Sequence, residues 1–417
     1  MKRNIGFFKG FVICVLMLFV GVMRILASGQ GESLSGGSSY GAFAPDSSVL
    51  LSMDSIEISL LTCDPHDEVY SLYGHTAIRV QNHITHQDFA VNYGVFDSTV
   101  DHFVVRFVFG LTDYMMGIFD FDRFLDEYRY YGSAVYVQRI NMKREEKLQF
   151  LSALAENARP ENVVYRYNYF YDNCTTHARD MLLRCINGVV EYSPTPLQEG
   201  CQTYRSLVHL KTKDYPWAAF GNDALLGVGS DFETPHDGRQ FLPEVLMQDF
   251  EKAKIKNADG TVRCLVDSSY CVLQSGTPYH NDDFVMPFRP RTCSLLFLCA
   301  VLALVLVQRF VIKRRLPWLE YSVCCIYGLV GMLLTAMIFS QHPTVSVNFQ
   351  IFTMNPLLLV LAFPKFRWKY RWHLVMIFLT LFFVGGILQV YAEGMYIMAC
   401  SLLIVTLNNI YRIEKEQ

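Results

Sequence analysis

The chain has 417 residues, of which 52% are hydrophobic and only 18% charged, and its formal net charge is −3. That length is too great for one ordinary soluble domain, the composition points towards a membrane, and the charge leaves no nucleic-acid footprint. The apolar residues are concentrated in two regions rather than spread along the chain.

The first region is the N-terminus. Lys2, Arg3 and Lys9 form a positive segment ahead of an uninterrupted apolar run from Phe11 to Met23, with the small residues Ala27 and Ser28 behind it. The run suits the apolar core of a secretory signal and is short for a spanning helix. Residues 1–28 are therefore expected to be a signal peptide, or else an uncleaved anchor, and in either case the segment after them is exported. Residues 29–50, rich in Gly and Ser, read as a flexible tether.

Residues 51–285 read as one exported domain. Alternation predicts a strand over Ser55–Thr62, and Gly74–Gln81 with Phe89–Gly94 predict a hairpin. Asp122–Tyr131 is expected to be helical and Ala134–Ile140 a strand. Asn141 is expected to cap a helix whose Leu148, Leu151, Leu154 and Ala155 share a face. Val163–Tyr169 reads as a further strand. Asp172 and Asn173 look like a cap for a helix over Cys174–Ile186, and Pro243–Ile255 reads as a helix with Pro in its first turn. The fold class is α+β. Pro278–Arg291 reads as a linker.

The second apolar region fills residues 292–411. Runs near 292–312, 321–340, 345–363, 373–391 and 394–411 predict an all-α bundle of about five transmembrane helices. The third run is interrupted by Asn348, Gln350, Asn355 and Pro356. Lys313–Arg315, then Lys365, Arg367, Lys369 and Arg371, then Arg412 and Lys415 follow alternate runs, whereas the opposite loops carry neither Lys nor Arg. By the positive-inside rule the exported domain faces the periplasm, the C-terminus is cytoplasmic, and the chain is a multi-pass protein of the inner membrane.

Twelve cysteines are present. Six lie in the exported domain, where disulfides are allowed, and Cys264 with Cys271 or Cys185 with Cys201 are candidate pairs. Asp267, Ser268 and Ser269 suggest a turn between Cys264 and Cys271. There is no CxxC or HExxH spacing, so neither a metal nor another cofactor is expected.

Chemistry concentrates in two stretches, Tyr73-Gly74-His75-Thr76-Ala77-Ile78-Arg79 and Tyr171-Asp172-Asn173-Cys174-Thr175-Thr176-His177-Ala178-Arg179-Asp180. Cys174 stands at a predicted helix start, where unpaired N–H groups and the helix dipole favour a thiolate. Such a nucleophile needs a base and a group to orient that base. His75 on a strand is the preferred base and His177, one helical turn from Cys174, the alternative. Asn92 is the first candidate for orienting His75 and Asp88 the second. The competing reading makes Cys174 half of a disulfide, although Cys185 lies too far along the same helix to be its partner.

A strand-borne His followed much later by Asn-Cys at a helix start resembles the circularly permuted, papain-like NlpC/P60 arrangement. The resemblance is closer to the DUF4105 domain, the exported domain of the Lnb-type lipoprotein N-acyltransferases of Bacteroidota. It is carried by residues 73–79, Asn92-Tyr93-Gly94, Tyr167-Asn168, Asp172-Asn173-Cys174-Thr175-Thr176, Phe241-Leu242-Pro243 and the intramembrane His342-Pro343, Asn348 and Asn355-Pro356-Leu357. His177 departs from the pattern, where Arg is expected. The resemblance implies a Cys174–His75–Asn92 catalytic set. It also implies transfer of a fatty acyl chain from a membrane phospholipid, through a Cys174 thioester, to the α-amine of a diacylglyceryl-cysteine lipoprotein. Arg79, Asn173 and His177 beside the motifs, with His342, Asn348 and Asn355 in the membrane region, are the candidate substrate-binding residues. Polar groups at membrane depth are costly and tend to serve function, although the asparagines are equally able to bond between helices. The alternatives are a Cys–His hydrolase of the same fold acting on peptidoglycan peptides or lipid esters, and a scaffold in which Cys174 is structural.

Overall fold

The alternating Ile56, Ile58 and Leu60 place every second side chain of the first strand in the core, and this periodicity organises the exported part of the protein. The computed structural model describes residues 53–66, 71–96, 102–193, 202–277, 286–361 and 368–416. The expected signal peptide, the tether, Cys201 and most of the 278–291 linker lie outside the described residues.

The chain divides into two compact units. One contains residues 29–202 and 234–283; the other contains 203–233 and 284–417. The first is built on a seven-stranded antiparallel sheet. Its strands are β1 (Ile56–Cys63), β2 (His75–Asn82), β3 (Gln87–Val95), β4 (Asp113–Asp120), β5 (Val135–Ile140), β6 (Val164–Arg166) and β10 (Val266–Leu273). Their spatial order is β10-β5-β1-β2-β3-β4-β6. A small sheet pairs β7 (Val189–Glu191), β8 (Lys254–Lys256) and β9 (Val262–Cys264) in that order.

The helices of this unit include α1 (Phe103–Val108), α2 (Phe121–Tyr131), α3 (Arg144–Asn157), α4 (Cys174–Leu183) and α7 (Pro243–Lys252). Ile58, Leu60, Ile78, Val80, Val91 and Tyr93 on one sheet face pack with residues of α3, α4 and α7. Leu61, Ala77, Ala90, Val135 and Val137 on the other pack against Phe121, Phe124, Leu125 and Tyr128 of α2.

Several local expectations are corrected. The cap of α3 falls at Lys143, whose N–H is taken by the Glu146 carboxylate at 2.7 Å, while Asn141 donates to the Cys264 carbonyl. Only Val164–Arg166 of the expected 163–169 strand is extended, and α7 ends at Lys252 before β8. Asp267, Ser268 and Ser269 form no turn: they continue β10 along β5 through a register shift. Cys264 and Cys271 therefore sit in different sheets, and both thiols are free, as is Cys185.

The second unit contains α5 (Tyr204–Thr212), α6 (Pro216–Leu225), α8 (Pro290–Leu306, continued as a π-helical turn to Ile312), α9 (Pro317–Ile338), α10 (Leu357–Leu361), α11 (Arg371–Gly385) and α12 (Met395–Glu416). Among the described residues three helices, Pro290–Ile312, Pro317–Ile338 and Met395–Lys415, are long and apolar enough to cross a membrane, where about five transmembrane helices were expected. The 345–363 run is broken because Asn348 caps a 3-10 turn at Phe349–Phe352 and Asn355 caps the short α10, with Pro356 between them. Arg371–Gly385 is apolar but shorter.

Candidate active site

The second sequence motif folds into the start of α4. Asn173 is the N-cap: its Oδ1 accepts from the N–H groups of Thr175 and Thr176, both at 2.9 Å, and its own N–H donates to Thr176 Oγ1. Its Nδ2 donates to the carbonyls of Phe241 at 2.9 Å and Tyr169 at 3.2 Å. Asn173 thus spends its amide inside the protein, fixing the helix start and tying it to the segment before α7. This leaves Cys174 at the first helical position, half-buried, where backbone N–H groups lack intrahelical acceptors.

The first motif brings the base. Gly74 has φ +77° and lies so close to the Cys63 carbonyl that a Cβ would stand 2.7 Å from it. Only glycine fits this entry into β2. His75 follows, and its imidazole interacts electrostatically with the Cys174 thiol. On its other side His75 Nε2 lies 2.7 Å from Asn92 Oδ1, which leaves Nδ1 as the ring nitrogen to face the sulfur. Gly94, at φ +100° in the irregular end of β3, stands beside both groups: a Cβ there would lie 3.6 Å from Cys174 Cβ and 4.0 Å from His75 Cε1.

Electrostatics favour an ion pair. Burial by itself would raise the Cys174 pKa. The His75 charge and hydrogen bond, the Thr76 backbone N–H and the Thr175 hydroxyl outweigh it, and the thiol ends below its ordinary value. Burial pulls the His75 imidazole down, but the opposing Cys174 charge and the hydrogen bonds to Cys174 and Asn92 push it up to about 9. Glu127 on α2 adds a smaller upward pull on His75. Thr76 Oγ1 donates to Thr175 Oγ1 at 3.2 Å and so joins β2 to α4 beside the sulfur. Tyr114 and Tyr167, stacked with centroids 4.2 Å apart, and Tyr165 stand around the thiolate.

The remaining residues singled out from sequence fall elsewhere. His177 Nδ1 lies 2.7 Å from Asp172 Oδ1, and its ring stands between Tyr93 and Tyr165. Asp88 does not orient His75; it is held by the Arg79 guanidinium, which also donates to Tyr270 and covers the Phe121 ring. Asn348 Nδ2 donates to the Ala224 carbonyl at 2.8 Å, and buried Gln350 donates to the Asp223 carbonyl at 2.8 Å. With Gln389, which donates to Asn348 Oδ1 and the Leu226 carbonyl, they satisfy carbonyls left open at the end of α6. His342 donates its backbone N–H to Ser340 Oγ at 3.3 Å. The structure therefore brings Cys174, His75 and Asn92 together and gives Arg79, Asn173, Asn348 and Asn355 bonds within the protein. Sequence reasoning missed Thr76, Thr175, Glu127 and the tyrosine wall. The two threonines lie inside the motifs and were within its reach; Glu127 is brought near by the sheet alone.

Residues 48–209 match the family model of the Lnb N-terminal periplasmic domain, and residues 280–417 match that of the Lnb transmembrane domain. No curated protein and no solved structure matches the chain.

Proposed function

Starting from the Lnb-type family, which the two matched domains together support, we propose that this membrane protein with a periplasmic domain is a lipoprotein N-acyltransferase. The observation that carries the reading is the Cys174–His75–Asn92 set, with its thiolate favoured at a helix start. The thiolate attacks the carbonyl carbon of a phospholipid ester. The ester C–O bond breaks, the His75 imidazolium gives its proton to the departing glycerol oxygen, and a thioester remains on Cys174. The amine of a diacylglyceryl-cysteine then attacks the thioester, neutral His75 takes the amine proton, and the thiolate leaves as the amide forms. The positive end of the α4 dipole faces the developing oxyanion. Asn92 holds the imidazole, and the tyrosine wall limits water at the thioester. The permuted papain-like fold, the inner-membrane location and a cytoplasmic C-terminus belong to the same proposal.

Mass spectrometry tests it. Protein exposed to phospholipid without acceptor is expected to gain a fatty-acyl mass on the Cys174 peptide, labile to neutral hydroxylamine. Cys174→Ala is expected to abolish both the adduct and N-acylation of lipoproteins in cells. Normal triacylation in Cys174→Ala cells sinks the reading, and release of free fatty acid alone when an amine acceptor is added replaces it with a hydrolase.

A further inference from the structure

The sheet face that carries Asn92 is covered unevenly. Over β1, β2, β3 and β5 it is closed by α2. Asn92 stands opposite Gly117 of β4, and Met115 is the next residue of β4 on that face. Met115 faces Val164 of β6 and Asp113 faces Arg166. Here the face is open: Met115 is 37% exposed and Val164 47%, with Val105 at 56% and Phe107 at 45% on α1. Met115 and Val164 thus lie on the same face as the orienting residue of the candidate dyad, and α1, tied to β4 through the Arg106–Asp113 pair, adds the exposed Val105 and Phe107 nearby. Their polar neighbours are biased in charge. Arg106 and Arg166 both engage the single Asp113 carboxylate, at 2.7 and 3.0 Å, which leaves one net positive charge and unused guanidinium donors beside the patch.

We propose that this open face is where the domain lies on the bilayer, with Val105, Phe107, Met115 and Val164 among the acyl chains and Arg106 and Arg166 at the level of anionic phosphates. Apolar residues rimmed by arginine are the chemistry of interfacial lipid binding. The inference rests on the reading that Cys174 takes its acyl group from a membrane lipid. It adds the route: donor esters lie at the depth of the Asn92 end of the patch, so the donor has little distance to travel out of the bilayer.

The test uses the full chain in nanodiscs of phosphatidylethanolamine and phosphatidylglycerol, with or without bromine on the acyl chains. F107W is expected to add emission that brominated lipid quenches. I84W, at the exposed β2–β3 turn, serves as the comparison and is expected to add emission that is not quenched. The double variant M115D/V164D is expected to lower acyl loading of Cys174 from vesicles about 10-fold or more while iodoacetamide alkylates Cys174 at the parent rate. F107W emission as insensitive to bromine as that of I84W overturns the proposal, as does parental loading by the double variant. Shielding of F107W only when a lipoprotein acceptor is added would overturn it too, by giving the face to the acceptor protein. If the parent gains no acyl mass at all, the acyltransferase reading falls, and quenching of F107W still decides the docking face.

Discussion

His75 and Cys174 hold each other's charge, so their titration sets the working range of the site. The thiol lies below its ordinary value and the imidazole near 9, so between the two the thiolate and imidazolium coexist. Alkylation of Cys174 is expected to persist at pH values where an ordinary thiol is protonated, and to fall only as pH drops through the lowered thiol pKa. Acyl transfer, which also needs the imidazolium to protonate the leaving oxygen, is expected to decline as pH rises through about 9. In His75→Ala the largest opposition to the burial of Cys174 is lost, so its alkylation midpoint moves to higher pH, and acyl loading falls by about 10²–10⁴-fold. In Asn92→Ala the imidazolium loses a hydrogen-bond acceptor, and the upper limb moves to lower pH. A pH profile of Cys174 alkylation unchanged by His75→Ala would contradict the pairing.

At the scale of elements, the start of α4 depends on one side chain. Asn173→Ala removes the cap from two N–H groups and the donors to Phe241 and Tyr169. A loss of about 1–2 kcal/mol, read by denaturant titration, is expected, with slower alkylation of Cys174 as the helix start frays. This cap was legible in sequence, as were the β2–β3 hairpin and the place of the cysteine, because turn and cap residues act locally. The 266–273 strand was not: its polar Asp-Ser-Ser imitates a turn, and only pairing with β5 makes it extended. Asn348 was legible as unusual, but not its partner, the Ala224 carbonyl more than a hundred residues away. Gln350 has a similar duty: its Nε2 reaches the Asp223 carbonyl and its Oε1 accepts from Ala392 N–H. Gln350→Leu is expected to cost about 1–3 kcal/mol for each group left unsatisfied, with Cys174 alkylation unchanged. A raised KM for lipid at unaltered stability would instead assign Gln350 to substrate.

At the scale of the molecule, sequence composition separated a mixed exported region from an apolar one, and residues 203–233 show how contacts divide the chain differently. They read as soluble sequence inside the 51–285 span, yet they form a compact unit with residues 284–417. The reason is distributed and long-range. Arg205, almost fully buried, pairs with Asp223 and Asp231, and Phe220, Ala224 and Leu225 pack on the core formed by the apolar helices. No local periodicity reports such an arrangement.

That excursion has a practical consequence for dissecting the protein. A fragment ending near residue 285 would carry residues 203–233 away from the carbonyl partners supplied by Asn348, Gln350 and Gln389, leaving Phe220 and Leu225 to water. Such a fragment is expected to aggregate. Yet the two ends of the excursion meet: Thr203 bridges Glu233, and the Thr234 N–H donates to the Gln202 carbonyl at 2.8 Å. Replacing residues 203–233 by a short glycine linker closes that gap at small entropic cost. Size-exclusion chromatography is expected to give a monomer for the spliced fragment and a void-volume peak for the plain truncation. A water-soluble catalytic half would then be open to crystallisation and to assay with dispersed esters, cut from the middle of the gene rather than from its end.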